Sequence, residues 1–254
     1  MIKKLLQSAQ KIFDHRQGEP KSLVPVEFEE NDVKIFDYVI KNNLTMVSPQ
    51  RLIATIQACK YVVSNEISGD FVECGVWRGG NSIAAKLVFE SYGSNKNVIL
   101  IDTFAGMTEP TVWDETTRHS IPAKKRFLEA QKEDHNSWCY ASLEEVKNNF
   151  ARAAAGPEGV KYIAGDIVET LHTTEDLPLE ISVLRLDTDW YESTKSAMEV
   201  LYPLLTSGGV LIIDDYGHWD GARKAVEEYF STKPEKRPLL QYTDYTGRMG
   251  IKHC

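Results

Sequence analysis

The chain lacks any apolar run long enough to cross a bilayer. Its longest uninterrupted ones, around Val98–Ile101 and Val210–Ile213, fall far short of the roughly 20 residues that a span requires. Nor does the start resemble a secretory signal, because residues 1–16 carry Lys3, Lys4 and Lys11 and no continuous apolar core. Positive charge is scarce: 29 Lys and Arg stand against 37 Asp and Glu, a net charge of −8, with no basic block. Phosphate backbones need clustered cations, so nucleic acid is excluded as the main partner. Cysteine is scarce too. Cys59, Cys74, Cys139 and Cys254 are widely spaced, with no CxxC pair, which fits reduced thiols better than a disulfide frame or a zinc site. These absences leave a soluble cytoplasmic protein, with no membrane partner, as the expectation.

What is present changes character near residue 70. Before it the chain reads as helices. Asn31 or Asp32 can cap a helix with Val33, Phe36 and Ile40 on its apolar face, and Ser48-Pro49 is a start signal for a second one carrying Leu52, Ile53, Ile56, Cys59 and Val63. After it, strand, turn and helix repeat. Short apolar runs at Phe71–Cys74, Val98–Ile101, Val160–Ala164, Ser182–Leu186 and Val210–Ile213 alternate with helical stretches, and Leu239–Tyr242 with Met249–His253 predicts a closing hairpin. The pattern predicts an α/β fold, a mostly parallel seven-stranded sheet with a C-terminal antiparallel hairpin and helices on both faces. Residues 1–69 then form an N-terminal helical cap and 70–254 a sheet domain. About residues 108–141 have no strand pattern and are expected to form a lid carrying His119 and His135.

Ligands in such sheets bind beyond the carboxyl ends of the strands, and here every strand end carries a carboxylate at or just beyond it. Glu73 precedes a glycine run, Gly75, Gly79 and Gly80, that opens a helix at Asn81 and Ser82. Glycine lets a backbone approach a ligand closely, and the free N–H groups of the helix start can meet an anion. Asp102 ends the second strand, where a carboxylate can take both hydroxyls of a ribose; Thr103, Phe104, Gly106 and Met107 follow as apolar cover. Gly165 and Asp166, after the third strand, would lie beside an adenine edge. Asp187 and Asp189 end the fourth strand and Asp214-Asp215 the fifth. Asp189, Asp214 and Asp215 on neighbouring strand ends form a cluster of like charge that calls for a hard cation, magnesium, manganese or calcium rather than zinc. Tyr191 and Lys195 have the YxxxK spacing of short-chain NAD(P)-dependent reductases, but the GxGxxG fingerprint is missing. Arg78, beside the glycine turn, is a candidate carboxylate binder or an outward salt bridge.

The blocks Gly69–Gly80, Ile101–Met107, Leu186–Thr194 and Gly208–Tyr216 together resemble the macrocin O-methyltransferase family. That resemblance implies a Rossmann-like class I methyltransferase that uses S-adenosylmethionine and Mg2+, with Mn2+ as a substitute, to methylate a hydroxyl of a sugar or other hydroxylated natural product. It implies that Glu73 and the glycines hold the methionine end, that Asp102 holds the ribose and Asp166 lies near adenine, and that Asp187 also meets the cofactor. It further implies Asp189, Asp214 and Asp215 as metal ligands and Asp189 as proton acceptor. The segment Thr45-Met46-Val47-Ser48 resembles the one that covers the cofactor, with Met46 in contact, and homo-oligomers are expected. A reductase using Tyr191 and Lys195, and a non-catalytic nucleoside-binding protein, are the rival readings.

Overall fold

The computed structural model describes residues 24–114, 122–234 and 237–253. His119 and the first 23 residues of the expected cap lie outside them. Among the described residues no helix is long and apolar enough to cross a membrane.

Seven strands form one sheet in the order β3-β2-β1-β4-β5-β7-β6. These are β1 (Asp70–Cys74), β2 (Val98–Asp102), β3 (Val160–Ala164), β4 (Ile181–Leu186), β5 (Leu205–Ile213), β6 (Gln241–Tyr242) and β7 (Arg248–Ile251). The first five run parallel, and β7 pairs antiparallel with both β5 and β6. The expected architecture is therefore the observed one. Consecutive strand residues serve opposite faces, and both are covered. Phe71, Val98, Leu100, Val183, Val210 and Ile212 meet α1 (Glu30–Lys41), α2 (Pro49–Ser64), α3 (Gly80–Ser91) and α5 (Leu143–Arg152). Val72, Cys74, Ile99, Ile101, Leu184, Leu211 and Ile213 meet α6 (Ile167–Thr173), α7 (Tyr191–Val200) and α8 (Asp220–Ser231). The helices α1 and α2 thus share their core with the sheet.

Local chemistry explains the element starts, with one correction. Ser48 caps α2 by accepting from the Arg51 N–H, and Pro49 takes the first helical position, where its missing N–H costs nothing. In α1, however, Glu29 is the cap residue, while Asp32 lies in the first turn and accepts from the Glu29 N–H at 2.8 Å. The buried face accordingly carries Ile35, Phe36 and Val39, and Ile40 is exposed. Lys60 of α2, paired with buried Asp32, draws that turn inward. In the 108–141 stretch the described residues form α4 (Ala123–Ala130) and a bridge between Gln131 and Asn136.

The strand order reverses between β1 and β4, and there Gly75 brings two backbones together. Its φ is +78°, and a Cβ on it would lie 1.9 Å from the Asp187 carbonyl oxygen. Gly93, at φ +65°, faces open space. Gly75→Ala should therefore cost more than about 3 kcal/mol of unfolding free energy, and Gly93→Ala only about 1 kcal/mol. Urea denaturation of both variants checks the contrast, and equal losses would mean that the backbones are not in close contact.

Candidate active site

Two cavities open at the carboxyl ends of the strands. The first, of about 690 Å3, is lined by Gly75, Asp102, Thr103, Gly106, Met107, Gly165, Asp166, Asp187 and Asp189 among others. The second, of about 1010 Å3, is lined by Arg51, Glu73, Asn81, Arg126, Trp138, Asp187, Asp189, Asp214, Asp215, His218, Trp219 and Tyr245 among others. Met46, Trp77, Cys139, Asp187 and Asp189 belong to both walls. The two cavities thus meet at the end of β4.

The glycine turn is held from β2. Asp102 Oδ2 accepts from the N–H groups of Val76 and Trp77 at 2.6 and 3.3 Å, and Oδ1 from Phe104 N–H at 2.8 Å. Burial raises the Asp102 pKa against the pull of these donors. A ribose assigned to Asp102 would have to share oxygens that already fasten the turn. Asp166 lines the first cavity while its Oδ1 caps α6 at Val168 N–H, 2.9 Å away. Gly79, at φ +82°, and Gly80 shape the start of α3. Neither glycine lines either of these two cavities, and neither do Ser82 and Phe104.

Behind the cavities lies a residue that the sequence reading missed. Arg185, in the middle of β4, is fully buried and reaches Glu73 at 2.7 Å, Asp187 at 2.9 Å and Asp214. Glu73 gives its other oxygen to buried Ser82. Its carboxylate is thus committed inside the protein, although it borders the second cavity. Burial pushes the Glu73 pKa up to about 7, opposed by Arg185 and Ser82. Asp214 receives a second guanidinium, that of Arg51 from α2. The signal for Arg185 was in plain view, since an arginine inside the apolar strand Ile-Ser-Val-Leu-Arg-Leu has to be paired.

The acidic cluster forms, with a change of membership. Ligand oxygens of Asp187, Asp214 and Asp215 lie within 4.8 Å of one another. The sequence reading put Asp189 in the place that Asp187 occupies. Asp189 instead interacts with Asp215, a contact that needs a proton shared between the two carboxyls, and with Trp219, in a left-handed backbone conformation at φ +56°. Asp215 Oδ2 is buried without a hydrogen-bond partner, and an orphaned oxygen on a carboxylate clustered with two others suits a hard cation. The donor set therefore fits magnesium or manganese.

Other candidates fall outside the cavities. Tyr191 donates to Glu228 at 2.6 Å, which helps push its pKa up to about 12, and Lys195 lies over the Tyr191 ring. A reductase tyrosine needs a lowered pKa and access to substrate, so this geometry gives the reductase reading no support. His135 stacks on Tyr140 at 4.1 Å beside Asp134, and Arg78 pairs with Glu145 at 2.8 Å.

The sequence model of the macrocin O-methyltransferase (TylF) family matches residues 7–249. Over 187 residues the chain is 38% identical to the 8-demethyl-8-(2,3-dimethoxy-alpha-L-rhamnosyl)-tetracenomycin-C 4'-O-methyltransferase of Streptomyces olivaceus, covering 73% of this chain and 67% of that one. It is 34% identical over 190 residues to the demethyldecarbamoylnovobiocin O-methyltransferase of Streptomyces niveus, covering 74% and 68%. The solved structure of the O-methyltransferase NovP superposes with a TM-score of 0.72 at 30% identity, covering 83% of each chain.

The titration of the cluster has a definite sign. Burial, with Asp187 as a like-charged neighbour, pushes Asp189 and Asp214 up to about 7, with Arg185 and Arg51 opposing at Asp214; Asp215 is raised well above the usual carboxylate range, by burial and then by Asp189 and Asp214. These carboxyls bind protons more tightly folded than unfolded, so the cation-free protein loses stability as pH rises from about 4 through about 7. A divalent cation has to displace those protons. The thermal shift given by magnesium should therefore be larger near pH 8 than near pH 6, as differential scanning fluorimetry can measure. A magnesium shift that does not change with pH would contradict this cluster.

Proposed function

The chain belongs to the macrocin O-methyltransferase family and is an O-methyltransferase; from that premise we propose that it methylates a sugar hydroxyl of a natural product, with S-adenosylmethionine as donor and magnesium as metal. The carrying observation is the meeting of the two cavities at Asp187 and Asp189. The first combines apolar walls with a few polar groups at the strand ends, the lining that an adenosyl donor needs. Gly75, Asp102, Thr103, Gly165 and Asp166 would hold it there, with Met46 as cover. The second, walled by Trp138, Trp219 and Tyr245, takes the acceptor. The substrate class is supported by the relatives named above, one acting on a rhamnosyl tetracenomycin and another on a novobiocin precursor.

Bound S-adenosylmethionine supplies a methyl group on a sulfonium. A divalent ion on Asp187, Asp214 and Asp215 would supply a positive charge that acidifies and positions the acceptor hydroxyl. The protein then has to place that hydroxyl in line with the methyl group and receive one proton. Asp189 is placed to receive it, since it borders both cavities and has a pKa pushed up to about 7. As the proton passes to the Asp189 carboxylate, the acceptor oxygen–carbon bond forms and the carbon–sulfur bond breaks, leaving a neutral thioether. Trp77 and Cys139, at the shared rim, and Trp190, beside the first cavity, exclude water from the reacting atoms.

Asp189→Asn should lower methyl transfer about 100- to 10,000-fold while S-adenosylhomocysteine binds within about twofold of wild type. Turnover is read as a gain of about 14 Da on glycosides of hydroxylated aromatic aglycones, one hydrogen exchanged for CH3 and hence a net gain of CH2. Full activity of the variant would remove Asp189 from the reaction, and full activity in excess EDTA would remove the metal.

A further inference from the structure

The cluster read above as a divalent-ion site already carries a positive charge of the chain's own. Asp214 has both carboxylate oxygens on guanidinium groups, Oδ1 on Arg185 and Oδ2 on Arg51. The two arginines differ in their freedom. Arg185 has no exposed side-chain area and is pinned by three carboxylates, whereas Arg51 stands in the first turn of α2 with 14% of its side chain exposed. Arg51 also has a second anchor, for its Nε lies 3.1 Å from Asp244 Oδ2. Asp244 is fixed in turn by Ser48 Oγ at 2.6 Å and by the N–H groups of Thr246 and Gly247 at 3.0 and 2.7 Å. Asp214, Asp187, Asp215 and Asp244 all act on the Arg51 charge, as does Asp189. The first three are the cluster itself.

We propose that Arg51 is an internal counter-cation, which occupies Asp214 when the divalent ion is absent and moves fully onto Asp244 when the ion binds. This inference rests on the metal reading of the cluster. The physical argument is that Asp214 has no free oxygen while both arginines hold it, and that a guanidinium and a divalent ion at one desolvated carboxylate repel each other. Of the two, only Arg51 has somewhere to go: rotation about its own side chain keeps one partner throughout. Because Ser48 shares Asp244, arrival of the ion tightens the start of α2 against the C-terminal hairpin. The segment just before Ser48 contains Met46, which borders both cavities, so occupancy of the ion site and closure of this cover become linked. Arg51 is thus a positioning residue.

The test is Mn2+ binding to the full chain without donor or acceptor, followed by isothermal titration and by the loss of free-ion signal in electron paramagnetic resonance. Arg51→Gln should bind Mn2+ at least about fivefold tighter than wild type, and Arg51→Lys, which keeps the charge, should stay closer to wild type. Asp244→Asn takes away the receiving carboxylate and should weaken binding about threefold, a measurement that remains available if Arg51→Gln does not fold. Mn2+ affinity unchanged or weaker in folded Arg51→Gln, or tighter in Asp244→Asn, would overturn the role of Arg51 and leave the metal reading standing. Absence of Mn2+ binding by the wild-type chain would overturn both.

Discussion

Everything at the carboxyl edge of this sheet depends on one buried guanidinium. Parallel strands bring Glu73 of β1, Asp187 just beyond β4 and Asp214 just beyond β5 within reach of one side chain, and left alone these carboxylates would repel one another in a medium that screens poorly. Arg185 sits on the central strand of the three and contacts all of them. Removing one partner of such a buried network costs about 3–5 kcal/mol, because the remaining charge is left uncompensated. A fully apolar replacement could fold as well or better, so stability alone does not account for the arrangement. What it provides is position: Arg185 fixes the carboxylates of Asp187 and Asp214 as parts of one rigid sheet edge while leaving Asp215 Oδ2 unpartnered.

This network also marks the limit of what was legible in the sequence. The strands could be read because each is a short apolar run buried on both faces, and the glycine turn because it follows a strand and opens a helix. A carboxylate near each strand end could be read as well. The arginine of the apolar strand β4 signals that a buried cation has to be paired, but which groups pair with which could not be read. Periodicity places Asp102 at an edge, but only the three-dimensional turn shows that its oxygens bind Val76, Trp77 and Phe104. Likewise, the choice between Asp187 and Asp189 turns on two residues of irregular backbone after β4. Asp189 adopts φ +56° there, which turns its carboxylate beside Asp215 instead of into the trio. Arg51 gives no signal of its role in the sequence, because its partners Asp214 and Asp244 are 163 and 193 positions away. The α1 face was misread for a local reason: Glu29, not Asn31 or Asp32, caps the helix, so Asp32 takes its third position, where it bonds the Glu29 N–H and meets Lys60 of α2.

The left-handed conformation of Asp189 is costly for a residue with a side chain, and its neighbours hold it in place. Immediately after it, Trp190 packs edge-on against Trp219 at 4.9 Å and Trp138 at 5.5 Å, and its indole N–H donates to the Thr108 carbonyl at 3.0 Å. The next residue, Tyr191, donates its N–H to fully buried Asp114 at 2.6 Å, and Asp114 also accepts from Thr111. A carboxylate at the start of α7 is favoured by the helix dipole, so Asp114 acts as a cap supplied from elsewhere in the chain. The loop that carries Asp189 is thus clamped by the first part of the 108–141 segment.

That clamp ties acceptor choice to the chemistry. Trp138 and Trp219 line the second cavity, where the acceptor is proposed to bind, and the same rings form the cluster that supports Trp190. Trp219 also bonds Asp189 directly. A substitution that reshapes the acceptor wall at either tryptophan therefore acts on the orientation of Asp189, whereas Arg126, stacked on the outer face of Trp138 at 4.2 Å, can change without disturbing the ring contacts beneath. Because interiors pack without slack, freedom to adjust the acceptor cavity lies mainly at its outer positions, Arg126 and Tyr245, and the inner aromatic layer is constrained by the proton acceptor that it holds in place.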